Sequence, residues 1–550
     1  MHLAAITRNF KRHMNGWLAV SMLGAAGILL PILYVLLSLF TKPNDNWEQV
    51  KQYLLLDYIQ GTLMVAGMTA VLAAILGVGL AWLVTAYRFP FRGFFRWALI
   101  LPLAMPPYIA AYTYKTMTSY TGIIQATLRN HLGITVPPGM IEVMSMRGAV
   151  FILTLCLFPY VFLITRTFLE RQSSAYIDNA RLLGRKGIGL FFQVVVPIAR
   201  PAIIAGVMLV IFEAISDYGV VSYFGVQTVS TAIFQIWFGM YDVDSALRLA
   251  AWLMIIVIGI FLIERWLRRN RQFHSLTQQA KPLVPRSLSR WKAVFACTVC
   301  SLVLLLSFIV PVAQIAVWSV WTSHKVWDSN FVELTLNTMK GALLATLIII
   351  IFATVAARVC RYASNSFSYG MSRVMTAGYA TPGAVIAVGV LAVFISLDNS
   401  LSSFYGWMGQ GEGALILSLS LGMLITGYVI RFMATGYNAM EAGYEKLSKS
   451  YTEAARTLGR GHFAAFFKIE LPLIRGALFS GFVLAFVEII KELPLTLLLR
   501  PFNFNTLATR AYTYAIDERI YEAALPSLLL IMLSLVSVLT IHLIGKRDTQ

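Results

Sequence analysis

Glutamate and aspartate are rare in the apolar stretches of this chain, and where they occur they recur. Glu213 and Asp217 stand four residues apart, and Glu488 and Glu492 repeat the pair 275 positions later. Helical spacing places residues at i and i+4 on one face, so each pair is expected to present two carboxylates together. An acid at bilayer depth is costly and faces a cavity or a partner. Two chemistries fit: a cation-attracting lining at the outer half of a path across the membrane, or buried bridges such as Glu488 or Glu492 with Lys491 or another helix's Arg. Nothing else is arranged for catalysis. The sequence has no G-x-x-x-x-G-K-[ST] loop to cradle nucleotide phosphates. The 7 histidines include no i, i+4 pair, and Cys297-x-x-Cys300 sits in an apolar run with no second pair. The expectation is a chain without catalytic residues, metal or cofactor of its own.

A second doubled feature is polar. Tyr451-Thr-Glu-Ala-Ala-Arg-Thr-Leu-Gly459 is followed by Ile469-Glu-Leu-Pro472 and Arg475. Subtracting 275 gives Asp178-Asn179-Ala180, Gly184, Val194-Val-Val-Pro197 and Arg200, and Phe191-Phe192 return as Phe466-Phe467. A 275-residue shift in 550 residues makes the chain one unit doubled. Each copy reads as a short amphipathic helix and a turn. Thr452 is placed to cap the helix, and Glu453 in its first turn suits the dipole. Ala454 and Ala455 leave a smooth surface for close approach, Gly459 permits a backbone reversal, and Pro472 opens the following span.

The elements that position these groups follow from composition. Hydrophobic residues make up 58% of the chain and charged residues 13%, about half the charged share of a soluble protein. Apolar runs longer than about 18 residues identify a polytopic helical membrane protein. The net charge of +19 belongs to short loops on one side rather than to a nucleic-acid surface. Spans are expected near 17–40, 61–86, 95–116, 148–168, 199–222 and 248–267, and again near 293–320, 335–357, 372–396, 412–434, 474–499 and 522–545. That is about 12 transmembrane helices in two six-helix halves, all-α. Pro102, Pro106 and Pro107 are expected to break the third. Lys and Arg place both termini and both motifs in the cytoplasm. Residues 1–56 hold an N-terminal segment with the first helix, 57–268 and 333–545 the two repeated domains, and 269–292 a basic cytoplasmic linker. Residues 293–332 hold a helix and outer loop, and 546–550 a tail. Smaller echoes support the doubling: Pro106 answers Pro382, and Gly61-Thr62 answers Asn337-Thr338.

The doubled motif resembles the Glu-Ala-Ala…Gly…Ile-x-Leu-Pro signature of permease subunits in binding-protein-dependent ABC importers. The second copy matches at Glu453, Ala454, Ala455, Gly459, Ile469, Leu471 and Pro472; the first keeps an acid, Gly184 and Pro197 but departs at Asp178-Asn179 and Val194. Ser216–Thr228 and Lys491–Phe504 are similar to the fused permeases of ferric-iron importers. The resemblance implies a type I importer permease fold in the bacterial inner membrane. It implies coupling helices at Asp178, Asn179, Ala180, Gly184 and Pro197, and at Glu453, Ala454, Ala455, Gly459 and Pro472. Two copies of a cytoplasmic ABC ATPase would carry ATP and Mg, and a periplasmic substrate-binding protein would deliver substrate. Thiamine, sulfate, molybdate, polyamine or phosphonate are alternative cargoes. An ion-gradient-driven secondary transporter is the rival from another class.

Overall fold

The computed structural model describes residues 16–137, 143–172, 175–269, 283–362, 365–409, 413–418 and 420–547. Among them, 9 helices are long and apolar enough to cross a membrane, or up to 11 when two sharply bent helix pairs each count as one span. The sequence expectation of about twelve is completed by helix Leu421–Lys446, which carries Arg431, Glu441, Glu445 and Lys446 and so falls short in apolarity. Its boundaries lie 275 residues beyond those of Met146–Arg171, its counterpart in the first half.

The first half opens with α1 (Gly16–Leu37) and α2 (Leu55–Ala86). Leu63, Met68, Val71 and Ile75 lie on an exposed apolar side of α2, as a lipid-facing helix requires. The third span is broken: Arg92–Ala104 and Pro107–Leu132 meet at 91°. Pro106 causes this, because it has no N–H to continue the helix and takes an extended ψ of 135° at the N-cap of α3 (Pro107–Thr118). Next come α4 (Met146–Arg171), the short α5 (Ala175–Leu182) and α6 (Gly187–Ser216). The half closes with α7 (Val229–Gly239) and α8 (Val243–Arg269).

The second half opens with the long α9 (Arg290–Val326), then α10 (Ser329–Tyr362). Its broken unit is α11 (Asn365–Ala380) and α12 (Gly383–Ser400), parted at Pro382, whose ψ of 143° repeats that of Pro106. Then follow α13 (Leu421–Lys446), the short α14 (Lys449–Thr457), α15 (Arg475–Lys491), α16 (Leu507–Ile516) and α17 (Ile520–Arg547). Between α5 and α14 the chain crosses six times, by α6, α8, α9, α10, the α11–α12 unit and α13, so the two motifs lie on one side of the bundle.

The structure gives the sequence echoes a cause. Thr62 Oγ1 accepts the Val229 N–H at 2.9 Å, and Thr338 Oγ1 accepts the Leu507 N–H at 2.8 Å. Each tie pins the start of α7 or α16, and each start carries a capping box, Thr228 with Thr231 and Thr506 with Thr509. Small residues set the helix crossings. A Cβ on Gly77 would lie 2.7 Å from Val161 Cβ, and one on Gly206 would lie 2.7 Å from Val161 Cα, so α2 and α6 both close on α4 there. On the side away from the motifs, Asp242 clamps two segments of the first half: it accepts from Asn44 at 2.8 Å, Asn46 at 3.0 Å and the Ser245 hydroxyl at 2.7 Å.

The leading helix of the first half crosses to the second, and that of the second packs chiefly on α17 of its own half while touching the first. α1 packs on α10, α11 and α12 of the second half, and Gly389 lets Pro31 approach so closely that a Cβ would lie 2.9 Å from its carbonyl oxygen. α9 reaches the other way, where Tyr114 of α3 donates its hydroxyl proton to the Leu306 carbonyl. The end of the inter-half linker also returns to the first half, as Arg286–Ser287 pair in parallel with Tyr87–Arg88.

Candidate functional site

Both motif copies end in the same backbone turn. Gly184 and Gly459 take φ of +84° and +78°, the left-handed region that a side chain strains. The Arg185 N–H bonds the Ala180 carbonyl and the Arg460 N–H bonds the Ala455 carbonyl, each at 3.0 Å, the six-to-one closure of a Schellman motif. Each motif then enters a π turn, Phe191–Val195 or Phe466–Glu470. The copies part at the following proline. Pro197 lies inside the unbroken α6, whereas Pro472 lies just before a bend of 72° into α15.

Three sequence expectations are corrected here. α14 begins at Lys449, so Thr452 sits inside the helix rather than at its cap, and Glu453 lies beyond the first turn. Ala455 is buried; Glu453 and Ala454 are the exposed members. In the first copy Asp178 pairs with Arg181 at 3.1 Å, Asn179 is exposed and Ala180 is half-buried. A feature that sequence reasoning passed over is an exposed apolar trio at matched positions: Leu183, Ile188 and Phe192, answered by Leu458, Phe463 and Phe467. Leu183 and Leu458 are 84% and 82% exposed, in the turns that follow α5 and α14. Their signal was available, since all three pairs keep the 275 shift.

Behind the second motif lies a buried polar knot. Glu470, with 0% exposure, accepts from Arg358 Nε at 2.8 Å, Thr452 and Tyr362 hydroxyls at 3.3 Å, and the Tyr444 hydroxyl at 3.4 Å. The Arg358 guanidinium lies 4.7 Å from the Trp17 ring centre and 5.2 Å from that of Phe466, a stacking that partly offsets its desolvation. The repeat partners of Arg358 and Tyr362, at a shift of 276, are Trp82 and Ala86, and those of Tyr444, Thr452 and Glu470, at 275, are Leu169, Ile177 and Val195. They form an apolar cluster behind the first motif, closed by Leu283 of the linker. One copy is thus anchored by charge and the other by hydrophobic packing.

Where the halves meet, a cavity of about 120 Å³ is lined by Glu213 and Asp217 from the first half and by Arg431, Glu488, Lys491 and Glu492 from the second. The pairing at i, i+4 holds in number but not in geometry. α6 stops at Ser216 and α15 at Lys491, so Asp217 and Glu492 are extended residues beyond their helix ends. Each instead caps the next short helix: Asp217 accepts the Val220 N–H at 3.0 Å, and Glu492 the Leu495 N–H at 3.2 Å. Glu488 bonds Lys491 at 3.1 Å. Arg431 donates to Ser216 Oγ of the first half at 3.0 Å and to the Tyr379 carbonyl at 3.2 Å. Among the described residues no three acidic, cysteine or histidine side chains gather closely enough to hold a metal ion. The cavity is a charged junction, with four acids and two bases, rather than a preformed chelate.

The profile of the binding-protein-dependent transport system inner membrane component matches residues 73–269 and 346–547. The chain belongs to that family. The permease matches it twice, once per half, as the doubled motif requires. Over 516 residues it is 26% identical to the Fe(3+)-transport system permease protein FbpB 2 of Haemophilus influenzae, covering 92% of this chain and 93% of that one. A putative ferric transport system permease of the same organism is 22% identical over 84% of this chain and 74% of its own length. The sulfate transport system permease CysW of Escherichia coli is 30% identical over 37% of this chain and 69% of its own. One chain of the crystal structure of a bacterial alginate ABC transporter, in complex with alginate pentasaccharide-bound periplasmic protein, covers 48% of this chain and 96% of itself, with 16% identity and a TM-score of 0.39.

Proposed function

We propose that this permease imports ferric iron across the inner membrane, taking it from a periplasmic binding protein and drawing on ATP hydrolysed by two copies of a separate ATPase. The observation that carries the cargo reading is the likeness to a ferric permease along 92% of the chain. The cavity supports it, since four acids against two bases favour a cation over sulfate or molybdate. The matched trios, Leu183 with Ile188 and Phe192, and Leu458 with Phe463 and Phe467, support two identical docking partners on one side. The Lys and Arg of the short loops support a cytoplasmic position for that side and for both termini. ATP binding would draw α5 and α14 together, and the junction at Arg431, Lys491 and the four acids would open outward in an alternating cycle.

The test is reconstitution in vesicles with the co-purified ATPase and an iron-loaded binding protein. ATP-dependent iron uptake is expected, and Gly459→Asp should abolish both ATPase association and uptake. Uptake by the permease alone, driven by an ion gradient without nucleotide, would overturn the reading. Sulfate or molybdate uptake with no iron uptake would leave the importer and reject the cargo.

A further inference from the structure

The two motifs sit on one side of the molecule, yet among the described residues only the second has a polar route to the junction between the halves. The route begins in α14, where Thr452 donates to Glu470. Glu470 is held in turn by Arg358 of α10 and Tyr444 of α13. Arg361 of α10 closes the end of α13 by donating to the Tyr444 carbonyl at 3.4 Å and the Leu447 carbonyl at 2.8 Å. Thirteen residues back along the same helix, about 20 Å away, stands Arg431. Its guanidinium crosses to Ser216 at the end of α6 and also holds the Tyr379 and Thr381 carbonyls at the break before α12. Ser216 also accepts the Gly383 N–H at 3.2 Å, so the end of α6 and the break before α12 meet at one hydroxyl.

At the matched positions the first half lacks the charged members of this route. The partners of Thr452, Glu470, Tyr444, Arg358 and Arg361 are Ile177, Val195, Leu169, Trp82 and Thr85, and the partner of Arg431 is Cys156. Hydrophobic contact has no preferred direction, so α5 can shift over its cluster while its one buried side chain, Ile177, stays covered. The second motif cannot shift away from α10 without parting Glu470, in the turn that follows α14, from Arg358, which would leave a buried charge unpaired and is strongly unfavourable. It must carry α10 and α13 with it.

We infer that the second motif alone drives the junction: displacement of α14 is transmitted through Glu470 and α13 to Arg431, which releases or re-forms the strap to Ser216. The first motif moves its half as a passive body. Glu470, Arg358 and Tyr444 are positioning residues in this scheme, and Arg431 is the group they position. The inference rests on the importer reading above.

The test is a double-mutant cycle in vesicles holding the full transporter, read as ATP hydrolysed per ion imported. Glu470 and Arg431 are far apart and share no partner, so independent effects would multiply to within about twofold. Glu470→Gln and Arg431→Gln are each expected to raise the ratio by about tenfold, and the double variant is expected to be no worse than the more severe single one. Multiplying effects would overturn the inference. A second variant separates transmission from folding: Arg358→Trp, Tyr362→Ala, Tyr444→Leu, Thr452→Ile and Glu470→Val together install the first half's cluster. It is expected to regain the parent's thermal midpoint while staying uncoupled. Recovery of both stability and coupling would reduce the knot to a structural anchor. Absence of ATP-dependent uptake in the parent would reject the importer reading, and the inference with it.

Discussion

Glu470 and Arg358 illustrate how a single residue type decides what a neighbourhood can tolerate. Removing one partner of a buried pair costs about 3–5 kcal/mol because the other charge is stranded. Arg358→Leu should therefore lower the thermal midpoint sharply in detergent, and Arg358→Leu with Glu470→Leu should recover most of the loss. A double variant as unstable as the single one would mean that the surrounding hydroxyls of Thr452, Tyr362 and Tyr444, not the ion pair, hold the site. At the junction, Glu213→Gln and Glu488→Gln should each reduce ATP-dependent uptake if the acids attract the cargo, and unchanged uptake in both would remove them from the path. Glu470 lay within the quoted Ile-x-Leu-Pro stretch, but the sequence reading treated its position as variable. Comparison with Val195, an aliphatic at the matched position, was the signal that would have singled it out.

At the scale of elements, spacing located the helices well and their ends less well. The broken third span was legible because proline removes a donor and fixes φ. The stops at Ser216 and Lys491 were not, because Gly219 and Pro494 come three residues later, at the start of the next short helix, and the acids between bond that helix. Asp217→Ala should loosen the short helix that follows by about 1 kcal/mol, read as faster hydrogen exchange at Val220 and Val221. The Asp242 clamp gives a pH signature. Burial pulls its pKa upward, but the hydrogen bonds from Ser245, Asn46 and Asn44 together outweigh this and leave it below the usual aspartate value. A depressed carboxylate stabilises the fold above the unfolded pKa of about 3.9 and loses that contribution as pH falls through the folded one. The stability gap between the parent and Asp242→Ala should therefore be full near neutrality and narrow below about pH 4. A gap that stays constant to lower pH would exclude the carboxylate as its source.

For the whole molecule, the doubling and the membrane class were both written in the sequence, through the 275 shift and the apolar runs. The crossing of α1 to the second half was not, since nothing in an apolar run states which half it will lie against. Trp17 of α1 packs on Phe463 and Phe466 at ring separations of 5.0 Å and 4.8 Å, beside the second motif rather than the first. Removing residues 1–40 should therefore raise protease cleavage at the second motif while leaving cleavage at the first unchanged. An equal rise at both would mean that α1 supports the bundle only in general.

The asymmetry between the knot and the apolar cluster has a consequence for how such a chain can change over generations. In a homodimer every substitution is made twice, so a buried glutamate and its arginine would have to suit both copies at once. A fused tandem gene lifts that restriction. Val195 and Glu470 answer to separate codons, so one handle can acquire a charged anchor while its twin keeps a greasy one. Duplication supplies the second copy; joining the two in one reading frame is what lets them take up different trades.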